Sequence, residues 1–450
     1  MSFQKDFKRA LVLISTFCPL APGCSGAVLA NEEGRVMSSK TNSKDFEPAT
    51  ERTPLVARFE KWRFGIWFGF ANKNTAYKEY DTEGWMELFK KVGFKYAILS
   101  MKDNDGWCRW DSEYTDYDIA SSKNNPNLAR QFVEACRKHG IAVGFKYTLS
   151  WDDYHQKRMS EEEYYRFANN QLRELLTKFG PIDILWIEAG RPPKRMQEAY
   201  NTIKSIQPNC LVTSHGWNYD PKELSCVSDI YQPSDFVPSP EGHSPWRTYR
   251  GKRYYIPWEA FVIWRFKGDS PPPKVLAALC HEIMKRGACA LILELTEGGF
   301  MAEEPKQNLL KMAEFLRQFQ DADRRRAQRT DAMRTREFIK ASSPFVDTYS
   351  KYRKEEGIIW RRNETQRKIA TEYAARWSAQ EALLEKLKAL RLKDGRTLGE
   401  VMAKDATLGS LVYNEATSAD IVKTESDEQD ACKVTLRVYR RWIEALTTQQ

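Results

Sequence analysis

The sequence predicts an α/β fold: a (β/α)8 barrel of TIM type, followed by a small helical α+β C-terminal domain. Three observations predict it. Strand-length apolar runs alternate with helical patterns about eight times over roughly 260 residues, the size and rhythm of such a barrel. The runs are apolar throughout, as strands covered on both faces must be. Gly93, Gly140, Gly180 and Gly287 stand where the helices should end, as left-handed caps.

The strand candidates are Phe64–Phe70, Tyr96–Met101, Ile141–Leu149, Ile182–Glu188, Cys210–His215, Asp229–Gln232, Tyr254–Phe261 and Ala288–Leu295. Between most of them fall helical patterns at Gly84–Val92, Leu128–His139, Glu161–Lys178, Pro193–Ile206 and Pro273–Arg286, and Pro305–Phe319 follows the last strand. The pattern then changes. Asp321–Phe338 is arginine-rich without a strong apolar stripe and reads as a solvated linker helix. Glu364–Leu390 carries Ile369, Tyr373, Trp377, Leu384 and Leu387 at helical spacing, the mark of an amphipathic helix with a core face. A turn at Asp394-Gly395, a short helix from Thr397 and a strand at Cys432–Tyr439 complete the small domain. The barrel is expected over 56–320, and the linker and second domain over 321–450, with the second domain folding independently.

The N-terminus has the parts of an export signal. Lys5, Lys8 and Arg9 precede an apolar segment, Ala10–Ala21, and Val28-Leu29-Ala30 is an acceptable cleavage site. Residues 1–30 are expected to be removed and 31–55 to form a flexible tether. The protein is then periplasmic, on the cell surface or secreted, with Cys24 as a weak site for a lipid anchor. No other segment is apolar enough to cross a membrane.

The 450 residues are 42% hydrophobic and 29% charged, an ordinary globular balance. The net charge of +9 is spread along the chain, and no nucleic-acid module accompanies it, so nucleic acid is not an expected partner. Seven cysteines lie beyond the presumed signal, without a CxxC pair. They read as buried small hydrophobes, not as zinc ligands or a disulfide framework. Neither a Gly-rich phosphate loop nor a metal-ligand cluster calls for a cofactor.

In a barrel of this kind the chemistry sits at the C-terminal mouth of the strands. The run Ile182–Gly190, IDILWIEAG, ends there in Glu188, and a charge in that place is costly unless it is paired or used. The other expected strand ends contribute Trp67; Asp103, Asn104, Asp105, Trp107, Arg109 and Trp110; Lys146 and Tyr147; Trp186; His215 and Trp217; Trp258 and Glu259. Aromatic faces beside carboxylates and amides suit a carbohydrate. Two carboxylates flanking one bond can serve as nucleophile and general acid in glycoside cleavage.

Several segments, from about Phe59 to Leu316, resemble glycoside hydrolase family 29, the α-L-fucosidases. They are RFGIWFGF at 63–70, GWMELFKKVGFKYAILSMKDNDGWCRWDSEYTDYDI at 84–119, ARQFVEACRKHGIAVGFKYTLSWDD at 129–153, LWIEAG at 185–190, IPWEAFVIW at 256–264 and ALILELTEGGF at 290–300. The resemblance implies a retaining exo-glycosidase with Glu188 in the nucleophile position. Either Glu259 or Glu241, the latter in SDFVPSPEG, then serves as acid and base. The chain also departs from the family. The nucleophile there is Asp. The family's histidine pair is replaced by Asp103 and Asn104, and the opening strand's histidine by Gly69. A β-sandwich that follows the family's barrel gives way to the helical tail. Two functions remain open: a divergent fucosidase-like enzyme removing a terminal deoxy-sugar or related sugar from a glycan, or a non-catalytic carbohydrate-binding protein on the same barrel. In both, the expected sugar contacts are Trp67, Asp103, Asn104, Asp105, Trp107, Trp110, Tyr147, Trp186, His215, Glu241 and Trp258.

Overall fold

Seven parallel strands, each buried on both faces, form the centre of the computed structural model, which describes residues 45–70, 81–121, 127–188, 193–215, 220, 222–232, 244–266, 271–296, 303–328, 338–349 and 364–448. In chain order the barrel half comprises α1 (Pro54–Trp62), β1 (Phe64–Phe70), α2 (Thr82–Val92), β2 (Tyr96–Lys102), α3 (Leu128–His139), β3 (Ala142–Thr148), α4 (Glu161–Lys178), β4 (Ile184–Glu188), α5 (Pro193–Ile206), β5 (Leu211–His215), β6 (Trp246–Tyr249), β7 (Lys252–Tyr255), β8 (Glu259–Phe266), α6 (Pro273–Lys285), β9 (Cys289–Thr296) and α7 (Glu303–Ala327). The sheet order is β5-β4-β3-β2-β1-β9-β8. Ile230 bridges in parallel to Thr213 of β5, and Tyr231 to Trp258 just ahead of β8. The segment around 229–232 therefore takes the remaining place and closes a (β/α)8 ring, as the sequence predicts.

Strand periodicity sorts the side chains into two layers. Trp67, Tyr96, Ile98, Ile184, Trp186, Leu211, Phe261 and Leu291 fill the interior, with Phe59 of α1 packed against them. The alternate residues, such as Leu99, Phe145, Leu185 and Val262, meet the helices in the larger outer layer. Gly93 and Gly140 take the expected left-handed caps, with φ of 106° and 68°, and Ser160 and Glu163 form a capping box on α4. All seven cysteines beyond the presumed signal are buried and free.

Three boundaries differ from expectation. The predicted strand Tyr254–Phe261 is two strands. Lys252–Tyr255 pairs antiparallel with Trp246–Tyr249 around a turn at Arg250-Gly251, where both φ values are positive. The barrel strand starts afresh at Glu259, after Pro257. The expected tether is docked where it is described. Phe46 hydrogen-bonds to Asn201 and Gln197, Tyr255 N donates to Ala49 O, and Asp45 and Glu47 pair with Arg250 and Lys252. The expected break at 320/321 falls inside α7, which runs on to Ala327.

The tail comprises β10 (Phe338–Ser342), α8 (Glu364–Lys388), α9 (Leu398–Met402), α10 (Ala406–Thr417), β11 (Asp420–Ser426), β12 (Cys432–Tyr439) and α11 (Arg440–Thr448). Its strands form an antiparallel sheet in the order β10-β12-β11. Helix α8 is shared. Ile369, Ala370 and Tyr373 join the outer barrel layer, whereas Ala375, Ala379, Leu383 and Leu387 join a separate core under the small sheet. No helix among the described residues is long and apolar enough to cross a membrane. The presumed signal, Cys24, Trp217 and Glu241 lie outside the described residues.

Candidate active site

Glu188 is the last residue of β4, opposite Thr148 of β3 and His215 of β5, so its side chain points into the barrel mouth. Lys146, two residues before the end of β3, faces the same space. Its Nζ lies 2.7 Å from Glu188 Oε2 and 2.7 Å from Thr148 Oγ1, and it pairs with Asp103 Oδ1. Thr148 Oγ1 is 2.9 Å from the same Glu188 Oε2. Arg109 Nη1 reaches Asp103 Oδ2 at 2.9 Å. Two carboxylates thus meet two cations at the mouth. Lys146 is 2% exposed, against 17% for Glu188 and 24% for Asp103.

This arrangement explains how charge survives there. Burial opposes ionisation of Asp103, but Lys146 and Arg109 outweigh it and hold its carboxyl below the usual range. Burial likewise opposes the charge on Lys146, and Asp103 and Glu188 outweigh it and raise its pKa. Beside them, Asn104 is exposed and Asp105 half-buried, with Oδ1 accepting from Trp107 N at 3.1 Å. Burial pushes the Asp105 carboxyl upward, partly offset by Arg109.

Below this layer lies an aromatic one. Trp67 and Trp186 pack at 4.8 Å, Trp67 Nε1 donates to Ser100 Oγ at 2.9 Å, and His215 stacks on Trp186 at 4.4 Å. His215 Nδ1 also contacts Gln232 Oε1.

Several expected sugar contacts are placed elsewhere. Glu259 opens β8 instead of closing it, so it lies at the barrel floor, fully buried. Its carboxylate oxygens accept from Tyr96 Oη at 2.7 Å and Trp186 Nε1 at 3.1 Å. Gly65 makes room for the Tyr96 ring, which a Cβ there would meet at 2.3 Å. Trp186 separates Glu259 from the mouth, so Glu259 does not form a catalytic pair with Glu188. Trp258 precedes β8 and is buried against Tyr231. Tyr147 faces outward, because β3 turns Lys146 and Thr148 inward; its hydroxyl joins Lys102 and Gln171. Trp110 is buried against α4 and donates to Glu174 at 2.9 Å, and Trp107 is buried with the outer layer.

A second buried cluster supports the mouth from behind. A register shift after Ser100 accompanies Lys102 reaching Asp152 at 2.9 Å, with both side chains fully buried. His155 Nδ1 also contacts Asp152 at 2.9 Å. The cluster ties the loop after β3 to the end of β2. Gly106 fits against it with φ +79°, where a Cβ would stand 2.2 Å from Asp152 Oδ1.

Lys146 and Arg109 fall at the expected strand ends without an expected role in the site, and Thr148 is a site residue that sequence reasoning missed. A signal was available for one of them: a lysine inside a strand buried on both faces must have a partner.

Fold and site together define a (β/α)8-barrel protein with an acidic, ion-paired site at the C-terminal end of its strands. The alpha-L-fucosidase family profile matches residues 36–321, more than half of the sequence. The chain belongs to the alpha-L-fucosidase family. It is 34% identical over 139 residues to alpha-L-fucosidase 1 of Arabidopsis thaliana, a stretch covering 29% of this chain and 27% of that protein. It is 24% identical over 148 residues to tissue alpha-L-fucosidase of Bos taurus, covering 30% and 31%. These matches span under a third of either relative's length. Among solved structures, alpha-L-fucosidase isoenzyme 1 from Paenibacillus thiaminolyticus superposes with a TM-score of 0.50 at 22% identity, over 60% of this chain and 77% of that one. A bacterial fucosidase holding a monovalent iminocyclitol inhibitor gives 0.51 at 16% identity, over 62% and 78%. At these identities the likeness is one of fold.

Proposed function

We propose that the protein is an exported retaining glycoside hydrolase that removes a terminal α-L-fucose, or a related deoxy-sugar, from a glycan, with Glu188 as nucleophile. The observation that carries this reading is how Glu188 is held. Lys146 and Thr148 both engage Oε2, and no hydrogen-bond partner among the described residues engages Oε1. A carboxylate gripped on one oxygen offers the other to an anomeric carbon. Asp103 then positions Lys146, while Asn104 and Asp105 are left to meet sugar hydroxyls. Proton transfer then falls to Asp105, where the upward push of burial suits an acid, or to Glu241, which the family resemblance of SDFVPSPEG offers. Export is supported by the basic start, apolar segment and cleavage site of residues 1–30.

One observation favours the second reading, a glycan-binding protein without catalysis: the same ion pair with Lys146 draws charge away from Glu188. A panel of aryl glycosides, the α-L-fucoside first, decides between them. The hydrolase reading expects turnover that falls by more than about a thousandfold in Glu188→Gln, with sugar binding retained. Binding without cleavage by the wild type establishes the second reading. Cleavage that survives Glu188→Gln removes Glu188 from the nucleophile role.

A further inference from the structure

A cavity of ≈110 Å³ lies between the outer barrel helices α6 and α7 and the tail helices α8 and α10, and shares no lining residue with the barrel mouth. Its walls carry three cations, Lys274, Arg325 and Arg376, and one carboxylate, Asp321, which is already paired with Arg324; Glu381 faces Lys274 and Glu372 faces Arg376 from outside the lining, which leaves Arg325 as the cation with the weakest compensation. Arg376 is 8% exposed. Its Nε, like that of Arg325, is buried without a hydrogen-bond partner among the described residues. A buried guanidinium N–H without an acceptor is costly, and the planar donors of an arginine match the oxygens of a carboxylate or sulfate. Trp377 and Tyr413 supply aromatic walls, and Tyr413 is 51% exposed, at the cavity's outer edge. At about 30 Å³ of liquid volume per water, the space holds roughly four waters, room for an anionic group and part of a ring that reaches out toward the exposed Tyr413.

We propose that this cavity is a second saccharide site for an acidic sugar unit, a uronate or a sulfate ester, with its anionic group on Arg325 and Arg376 and its ring against Trp377 or Tyr413. The anionic character follows from the cavity itself. The choice of a sugar over another organic anion rests on the glycan reading of the barrel.

Calorimetric titration of the full chain with glucuronate, a galactose sulfate and neutral fucose tests it. Both acidic sugars are expected to bind here, more weakly as salt rises. Arg325→Gln and Arg376→Met are each expected to weaken that binding about tenfold. Glu188→Gln should leave acidic-sugar binding unchanged, so failed fucoside hydrolysis refutes the hydrolase reading of the barrel while the titration still decides this one. No heat from either acidic sugar, or unchanged affinity in Arg325→Gln, overturns the proposal. Tighter binding of adenosine monophosphate, lost in the same variants, overturns it in favour of a nucleotide site.

Discussion

Glu259 gives a quantitative test of the barrel floor. Burial pushes its carboxyl from the usual 4.5 up to about 7, against the pull of the Tyr96 and Trp186 donors. The folded chain therefore holds this proton more tightly than the unfolded chain does. The stability it contributes is complete below pH 4.5 and is lost as pH rises through 7. From 4.5 to about 7 is ~2.5 pH units, and at ~1.4 kcal/mol each the loss is about 3 kcal/mol. Glu259→Gln removes the titration. Because both neighbours donate, the amide can accept from one and must set its own N–H groups against the other, which costs about 1–3 kcal/mol in acid. The wild type should thus be the more stable protein near pH 5, and the gap should close or reverse by about pH 8.5. Urea unfolding of both proteins across that range measures the difference directly. A gap constant to within about 0.5 kcal/mol would refute the reasoning, because the carboxyl would then not be desolvated as its position requires. Turnover supplies a second check: Glu259→Gln should keep activity within a few-fold, and a loss of several orders of magnitude would return Glu259 to the catalytic pair.

Gly106→Ala is expected to destabilise the protein by at least about 3 kcal/mol, since it sets a Cβ against Asp152 in a left-handed conformation and disturbs a buried ion pair. An unchanged melting temperature would contradict that placement. Ending the chain after Ala327 is expected to abolish sharp thermal unfolding, because it strips Ile369, Ala370 and Tyr373 from the outer barrel layer. A truncated chain that melts as sharply as the full one would show that layer to be self-sufficient.

Much of the architecture was legible because burial on both faces leaves a plain trace. Helices α3, α4 and α5 and strand β12 end where the pattern of apolar residues, caps and prolines puts them. The closing segment around 229–232 was visible as a short apolar run, although bridges at Ile230 and Tyr231 are its described pairing. The site was less legible. Treating Tyr254–Phe261 as one strand placed Glu259 near a C-terminal end, where an acid belongs; Pro257, which cannot donate to a ladder, marked the true break. Trp107, Trp110 and Tyr147 were placed on the rim by sequence position, but strand periodicity and loop packing bury them. Lys146 stood in plain view in FKYT. Its meaning depends on residues 103 and 188, which come together through the barrel alone.

Helix α8 has a consequence for how this chain can change over generations. Its first turns complete one core and its later turns another, so a recombination event in the 320s would strip a wall from the barrel and leave the first turns of the helix uncovered on the tail. Exchange of the tail as a cassette is disfavoured, and a graft of this barrel onto another partner must carry the helix as far as Lys388 or replace its inner face. Barrel and tail are therefore constrained to be inherited as one piece, even though each has a core of its own.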